Sequence, residues 1–246
     1  MSNKDFFKAN HVKKAKLHNG LVAYLDFLGI QTKILTDENS YSSYDETLAK
    51  VIDLFNGTLA EFSNHALLKQ FDFKYKIFSD NIAIFLDIEE KTNRELYTLM
   101  MELMGFVAFF QCQALKEKML VRGGMSIGKY FVNSDLCWGK ALVEAVNMEK
   151  NSVFPRVLIC DELTAIMNNE YTINSSHLIN KDKDEKYYVD YLSIVTEIQV
   201  YKDIIFTMYN DIREKLNSNK EEDRKILDKY KWLVEYVEMS QLSLNQ

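Results

Sequence analysis

One proline in 246 residues leaves little room for a proline-rich linker, and no repeat or low-complexity tract divides the chain. Cysteine is also scarce. Cys112, Cys137 and Cys160 are odd in number and lack metal-ligand spacing, which excludes a disulfide scaffold and points to a reducing compartment. Positive charge is spread rather than clustered, and 30 Lys and Arg against 36 Asp and Glu leave a net charge of -6. A basic stripe of the kind that follows a nucleic-acid backbone is missing, so no nucleic-acid partner is expected. The first residues, Met-Ser-Asn-Lys-Asp-Phe-Phe-Lys, lack the apolar region of a secretory signal. The most apolar stretch, Leu96 to Leu115, carries Glu102 and Gln111 and reads as a buried helix rather than a membrane span. The expectation is a cytoplasmic protein with no membrane partner.

What is present is enough apolar sequence, 47% of residues, to build one large core. Leu21 to Leu28 reads as a buried strand closed by Gly29. Ser43-Tyr-Asp-Glu46 has the form of a capping box, followed by Ile52, Phe55, Leu59 and Phe62 at helical spacing. Phe73 to Phe78 and Ile82 to Leu86 form a hairpin around Ser79-Asp80-Asn81, and a long helix covers about Asn93 to Glu117. Leu120 to Ile127 is a strand, with Lys129 to Val132 pairing back onto it; a helix runs from Trp138 to Lys150, and Arg156 to Ile159 is a short strand. Asp161 caps the next helix, residues from about Asn168 to Lys186 read as loop, Tyr187 to Tyr191 is a last strand, and two amphipathic helices follow Ile194. The order predicts an α+β fold, a ferredoxin-like palm whose antiparallel-rich sheet is covered by helices, over residues 1–192, with a C-terminal helical extension over 193–246.

Two aspartates carry the chemistry. Asp26 and Asp80 each sit where an apolar run gives way to a turn, and a carboxylate there costs desolvation energy unless a cation or hydrogen bonds compensate it. The palm topology places the first strand beside the central hairpin, which would bring both acids to one hard-oxygen site for Mg²⁺ or Mn²⁺. The bland alternative is that each merely shapes its turn. Arg122, ahead of two glycines, reads equally as the partner of an acid beneath the sheet or as a phosphate contact. Trp138 reads as core or dimer interface, and His11, His18, His65 and His177 show no ligand spacing.

Four segments, Tyr-Leu-Asp26-Phe-Leu-Gly29, Lys76-Ile-Phe-Ser-Asp80, Val-Arg122-Gly-Gly-Met-Ser-Ile-Gly128 and Trp138-Gly-Lys-Ala-Leu-Val143-Glu-Ala-Val-Asn147-Met-Glu149, resemble class III nucleotide cyclases in the family's order over about residues 20 to 160. Phe-Pro155-Arg156-Val-Leu-Ile and Asp228-Lys-Tyr-Lys-Trp232-Leu resemble a narrower group, the pyrimidine nucleotide cyclases of the bacterial Pycsar antiphage system. The resemblance implies a ribonucleoside triphosphate substrate, two divalent cations (Mn²⁺ or Mg²⁺), attack of the 3′-hydroxyl on the α-phosphate, and a homodimer whose sites lie between subunits. It implies Asp26, Asp80 and the Phe27 carbonyl as metal ligands, and a separate effector activated by the cyclic product. The departures are informative. The family's helix Asn and Arg fall at Val143 and Asn147, so the guanidinium is absent and Asn147 stands in its catalytic place, with Arg122, Arg156 and Lys140 as possible substitutes. Lys76 matches the lysine that reads adenine, but its aspartate partner falls at Leu136, beside Asp135, which suits a smaller base. Tyr41 and Tyr44 lie where the fold approaches the base. The alternatives are a purine cyclase, a catalytically inactive nucleotide-binding module and, disfavoured by the acidic balance, a palm-type phosphotransferase acting on nucleic acid.

Overall fold

The apolar run ending near Asp26 forms β1 (His18–Leu28) at the centre of one sheet. The chain is a computed structural model that describes residues 16–29, 41–63, 73–170 and 177–244. After β1 come α1 (Tyr41–Ser63), the hairpin β2 (Phe73–Phe78) and β3 (Asn81–Asp87), α2 (Asn93–Lys116) and β4 (Leu120–Val132). β5 (Cys137–Trp138), α3 (Lys140–Asn151), β6 (Val157–Ile159) and α4 (Asp161–Glu170) follow, then β7 (Ile179–Lys181), β8 (Tyr187–Val189), α5 (Ile198–Lys215) and α6 (Glu221–Leu244). The strand order is β2-β3-β1-β4-β6-β8-β7, with β5 paired to β4. β1 to β4 are mutually antiparallel neighbours in the order 2-3-1-4, the split arrangement of a ferredoxin-like palm, and only β6 joins in parallel, against β4. The molecule is the expected mixed α+β fold, with the expected C-terminal helices.

Alternation along β1 divides the core. Leu21, Ala23, Leu25 and Phe27 join the large cluster with α1, α2, α5 and α6. Val22 and Tyr24 face the other way, with Ala83, Phe85 and Tyr130, beneath Ala141 and Ala145 of α3. α2 starts with a complete capping box, Thr92 and Glu95. It is long and apolar enough to cross a membrane by composition, yet 67% of that window is buried inside this fold. Trp232 and Tyr236 of α6 belong to the same core as α2.

Several expectations are corrected. Helix α1 is already under way at Tyr41, so Ser43 is not its cap and Tyr44 lies in the helix rather than ahead of it; the Tyr44 side chain lies outside the described residues. Its buried stripe is Val51, Leu54, Phe55 and Thr58, and Ile52 faces solvent; Phe62 lies outside the described side chains. The Thr58 hydroxyl donates to the Leu54 carbonyl at 2.7 Å, which lets a polar side chain complete the stripe. Residues 120–132 are one continuous strand, because β1 offers eleven partners from Leu120 to Tyr130, and the pairing-back segment is β5 instead. Trp138 therefore belongs to β5, not to the helix, and is 60% exposed rather than core. β7 falls inside the stretch expected to be loop, held by three register pairs with β8.

Candidate functional site

The β1–β3 register puts Asp26 opposite Asn81, and the Phe27 N–H donates to the Asp80 carbonyl at 3.1 Å. The two aspartates thus stand on adjoining strand ends. Ser79 absorbs the left-handed turn, φ 57°, that reverses the hairpin before Asp80. Asn81 donates to Asp80 Oδ1 at 3.0 Å and accepts from the Tyr24 hydroxyl at 2.6 Å, a chain that fixes the Asp80 carboxylate. The Phe27 ring itself is buried against Phe110.

On the other side of β1, Asp26 is directly opposite Arg122 of β4. Arg122 Nε donates to Asp26 Oδ2 at 3.0 Å, Nη2 lies 2.6 Å from Glu149 Oε1 at the end of α3, and Nη1 donates to the Ser152 carbonyl at 3.4 Å. Of its two readings, Arg122 takes the acid-pairing one in this geometry. Glu149, 6% exposed, was not singled out from the sequence. It arrives because α3 lies close on the sheet. At Gly124 an added Cβ would fall 2.5 Å from the Ala145 carbonyl and 2.6 Å from Met148 Cβ. Gly139, at φ 140°, opens α3 with its own Cβ position 2.4 Å from the Lys129 carbonyl.

Three acids crowd one place. Burial pushes the Asp26 carboxyl above its ordinary range, Arg122 draws it back, and the Asp80 charge adds to the rise. Burial also raises Glu149, against Arg122, with Asp26 adding repulsion and a shared hydrogen bond that favours the proton on Glu149. The Tyr24 phenol is pushed up to about 12, by burial first and then by the charges of Glu149, Asp26 and Asp80. Excess negative charge on hard oxygen donors is what a divalent cation relieves, so the donor set fits such an ion.

The other expected residues are spread more widely. Lys76 shares the sheet face of Asp26, and its ammonium is bonded to the Ser134 carbonyl in the turn before β5. That turn is shaped by Asn133, whose side-chain oxygen accepts from the N–H groups of Asp135 and Leu136. Leu136 is 53% exposed there. Val143 and Asn147 lie on the exposed side of α3, away from the sheet and outside the acid cluster. They border a groove of about 600 Å³ with Lys140, Asp161 and Lys186. Arg156 cannot serve as a substitute phosphate ligand. It is 1% exposed and clamped by Asp182 and Asp184 between the rings of Phe154 and Tyr188.

His18 corrects the histidine reading. Strand pairing brings Asp87 Oδ2 to 2.8 Å and Glu89 Oε2 to 3.8 Å of its Nδ1, a three-ligand grouping that sequence spacing hides. It lies at the opposite end of β1 from Asp26, and Lys16 already lies 2.9 Å from Glu89. His177 is exposed; His11 and His65 lie outside the described residues.

No protein-family model matches the chain, and no curated protein matches it. Among solved structures, the adenylyl cyclase CyaB from P. aeruginosa is similar at 16% identity, covering 72% of this chain and 95% of that one, with a TM-score of 0.46. The catalytic core of a rhodopsin-guanylyl cyclase with converted specificity, in complex with ATPalphaS, is similar at 14% identity, covering 72% and 97%, with a TM-score of 0.45. An adenylate/guanylate cyclase/hydrolase from Silicibacter pomeroyi follows at 14%, 71%, 96% and 0.43. Values this low assign no activity to this chain.

Proposed function

We propose that the chain is a class III-type nucleotide cyclase that converts a ribonucleoside triphosphate, UTP or CTP in preference to a purine, to the 3′,5′-cyclic monophosphate and pyrophosphate. The observation that carries this reading is the meeting of Asp26 and Asp80 on adjoining ends of β1 and the β2–β3 hairpin of a ferredoxin-like palm. The ordered cyclase-like segments of the sequence support it. Bound divalent cations would supply Lewis acidity, lowering the pKa of the attacking hydroxyl and neutralising charge on the phosphate. Asp26 and Asp80, with the Phe27 carbonyl, would hold them. Tyr24 and Asn81 keep the Asp80 carboxylate in place, and Arg122 compensates Asp26 and Glu149. Lys76 meets a backbone carbonyl rather than a carboxylate, which supports loss of the adenine-reading pair.

A homodimer is part of the proposal. Val143 and Asn147 point away from the acids of their own chain and border the groove, and Val143, Leu136 and Trp138 leave large apolar side chains exposed. Each site would combine the aspartates of one protomer with the outer face of α3 of its partner. In a bacterial setting, the cyclic product would then act on a separate effector in antiphage defence, as the narrower resemblance implies. A second reading, an inactive nucleotide-binding module, is favoured by the Arg122 contact to Asp26 and by the missing guanidinium on α3. Incubating the protein with each of the four triphosphates and Mn²⁺, followed by mass spectrometry, separates these. Cyclic UMP or CMP that disappears in Asp80→Asn supports the proposal; cyclic purine product redirects its specificity, and no product from any triphosphate rejects it.

A further inference from the structure

The C-terminal helix α6 packs on the segment that joins α3, which carries Glu149, to β6. Trp232 stacks on Phe154 at 5.6 Å with an interplanar angle of 9°, and its Nε1 donates to Asp182 at 2.7 Å. The Leu192 N–H donates to the Tyr236 hydroxyl at 2.9 Å, one turn further along α6. Phe154 belongs to the short segment that leaves α3 for β6, and the first residue of that segment, Ser152, accepts from Arg122. One helical turn before Trp232, on the same side of α6, stands Lys229. Its ammonium lies within electrostatic reach of both Arg122 and Asp26; burial lowers its pKa first, Arg122 lowers it further and Asp26 opposes them. Lys229 is half-buried, and no carboxylate among the described residues forms an ion pair with it. A partly desolvated cation with no carboxylate at ion-pair distance among the described residues, and only the longer-range charge of Asp26 in its favour, is poised for an anion arriving from outside the chain. Meanwhile α3 offers Val143 and Asn147 where a phosphate-binding guanidinium is missing.

We propose that Lys229 is a phosphate-contacting residue of the Asp26–Asp80 site, so that α6 delivers from the C-terminal end of the chain a cation that α3 lacks. The inference rests on the reading of that site as one for metal and triphosphate. A lysine ammonium meets phosphate oxygens as a point charge, with three donors on a flexible stem. The same charge disfavours a bare dication at Asp26, so its removal has opposite effects on two ligands.

The test uses the full chain and two probes, Mn²⁺ alone and inorganic triphosphate with Mn²⁺, followed by calorimetry. Lys229→Met is expected to weaken triphosphate by about tenfold or more while tightening Mn²⁺ alone by a few-fold. Lys229→Arg should recover most of the triphosphate affinity. Lys225→Met, which removes an exposed lysine paired with Glu221 on the same helix, should change neither. Unchanged triphosphate affinity in Lys229→Met, or equal weakening of both probes, overturns the proposal. The underlying reading fails separately: wild type that binds triphosphate through Lys229 yet cyclises none of the four nucleotides keeps the phosphate contact and rejects the cyclase.

Discussion

Arg122 decides how the acid cluster is tolerated. Its guanidinium spans Asp26 and Glu149, both largely shielded from water, and no other described cation touches either carboxylate within ion-pair distance. Removing one partner of such a network leaves uncompensated charge, which costs more than the network contributes. Arg122→Ala should therefore lower the unfolding free energy by about 2–4 kcal/mol in urea titration. Adding Glu149→Gln should return part of that loss, since the two sites share one interaction. Equal and additive losses would show that the pair is not coupled. The sequence offered acid pairing as one of two readings of Arg122 but hid the second partner: Glu149 lies 27 positions away and reaches it only through the packing of α3 on the sheet. Asp26 and Asp80 were legible, because a carboxylate at the end of an apolar run is visible in one dimension.

At the scale of elements, glycine and a buried arginine set where helices sit. Gly124→Ala would push α3 off β4, since the space its methyl needs is taken by helix backbone. The expected cost is about 1–3 kcal/mol, read as a lower midpoint in denaturant, with weaker coupling between Arg122 and Glu149. The α6 helix is held by Asp182, which ties Trp232 to Arg156, and Asp184 grips the same guanidinium. Burial pushes Asp184 up, but Arg156 outweighs it and holds the carboxyl below its ordinary 3.8. A depressed carboxyl stabilises the fold above 3.8, and that contribution is lost as pH falls from there through the folded value. In a Trp138→Phe background, Trp232 emission should shift to the red below pH 3.8. Asp184→Asn should bring that shift nearer neutrality; emission independent of pH would contradict the clamp. The elements that the sequence conceals are those with little pattern of their own. β5 has two residues and β7 three, of which two are exposed, so pairing with neighbours creates them. The long helices were readable from their apolar periodicity, whereas the full length of β4 and the start of α1 were not.

For the whole molecule, the palm order could be anticipated from alternating helices and hairpins, and the outward aim of Val143 and Asn147 only from the resemblance, which gives that face to the opposite protomer's site. The proposed dimer follows from that aim. Replacing Trp138 and Val143 together by Glu should shift sedimentation from dimer to monomer and abolish turnover, while the thermal midpoint stays within a few degrees because both side chains are exposed. A monomeric wild type with full turnover would remove the shared site. The central claim is tested most directly by Mn²⁺ uptake followed by electron paramagnetic resonance, in a His18→Ala background that removes the grouping at the far end of β1. The account predicts saturable uptake that Asp26→Asn and Asp80→Asn each abolish. Uptake indifferent to Asp80→Asn would contradict it.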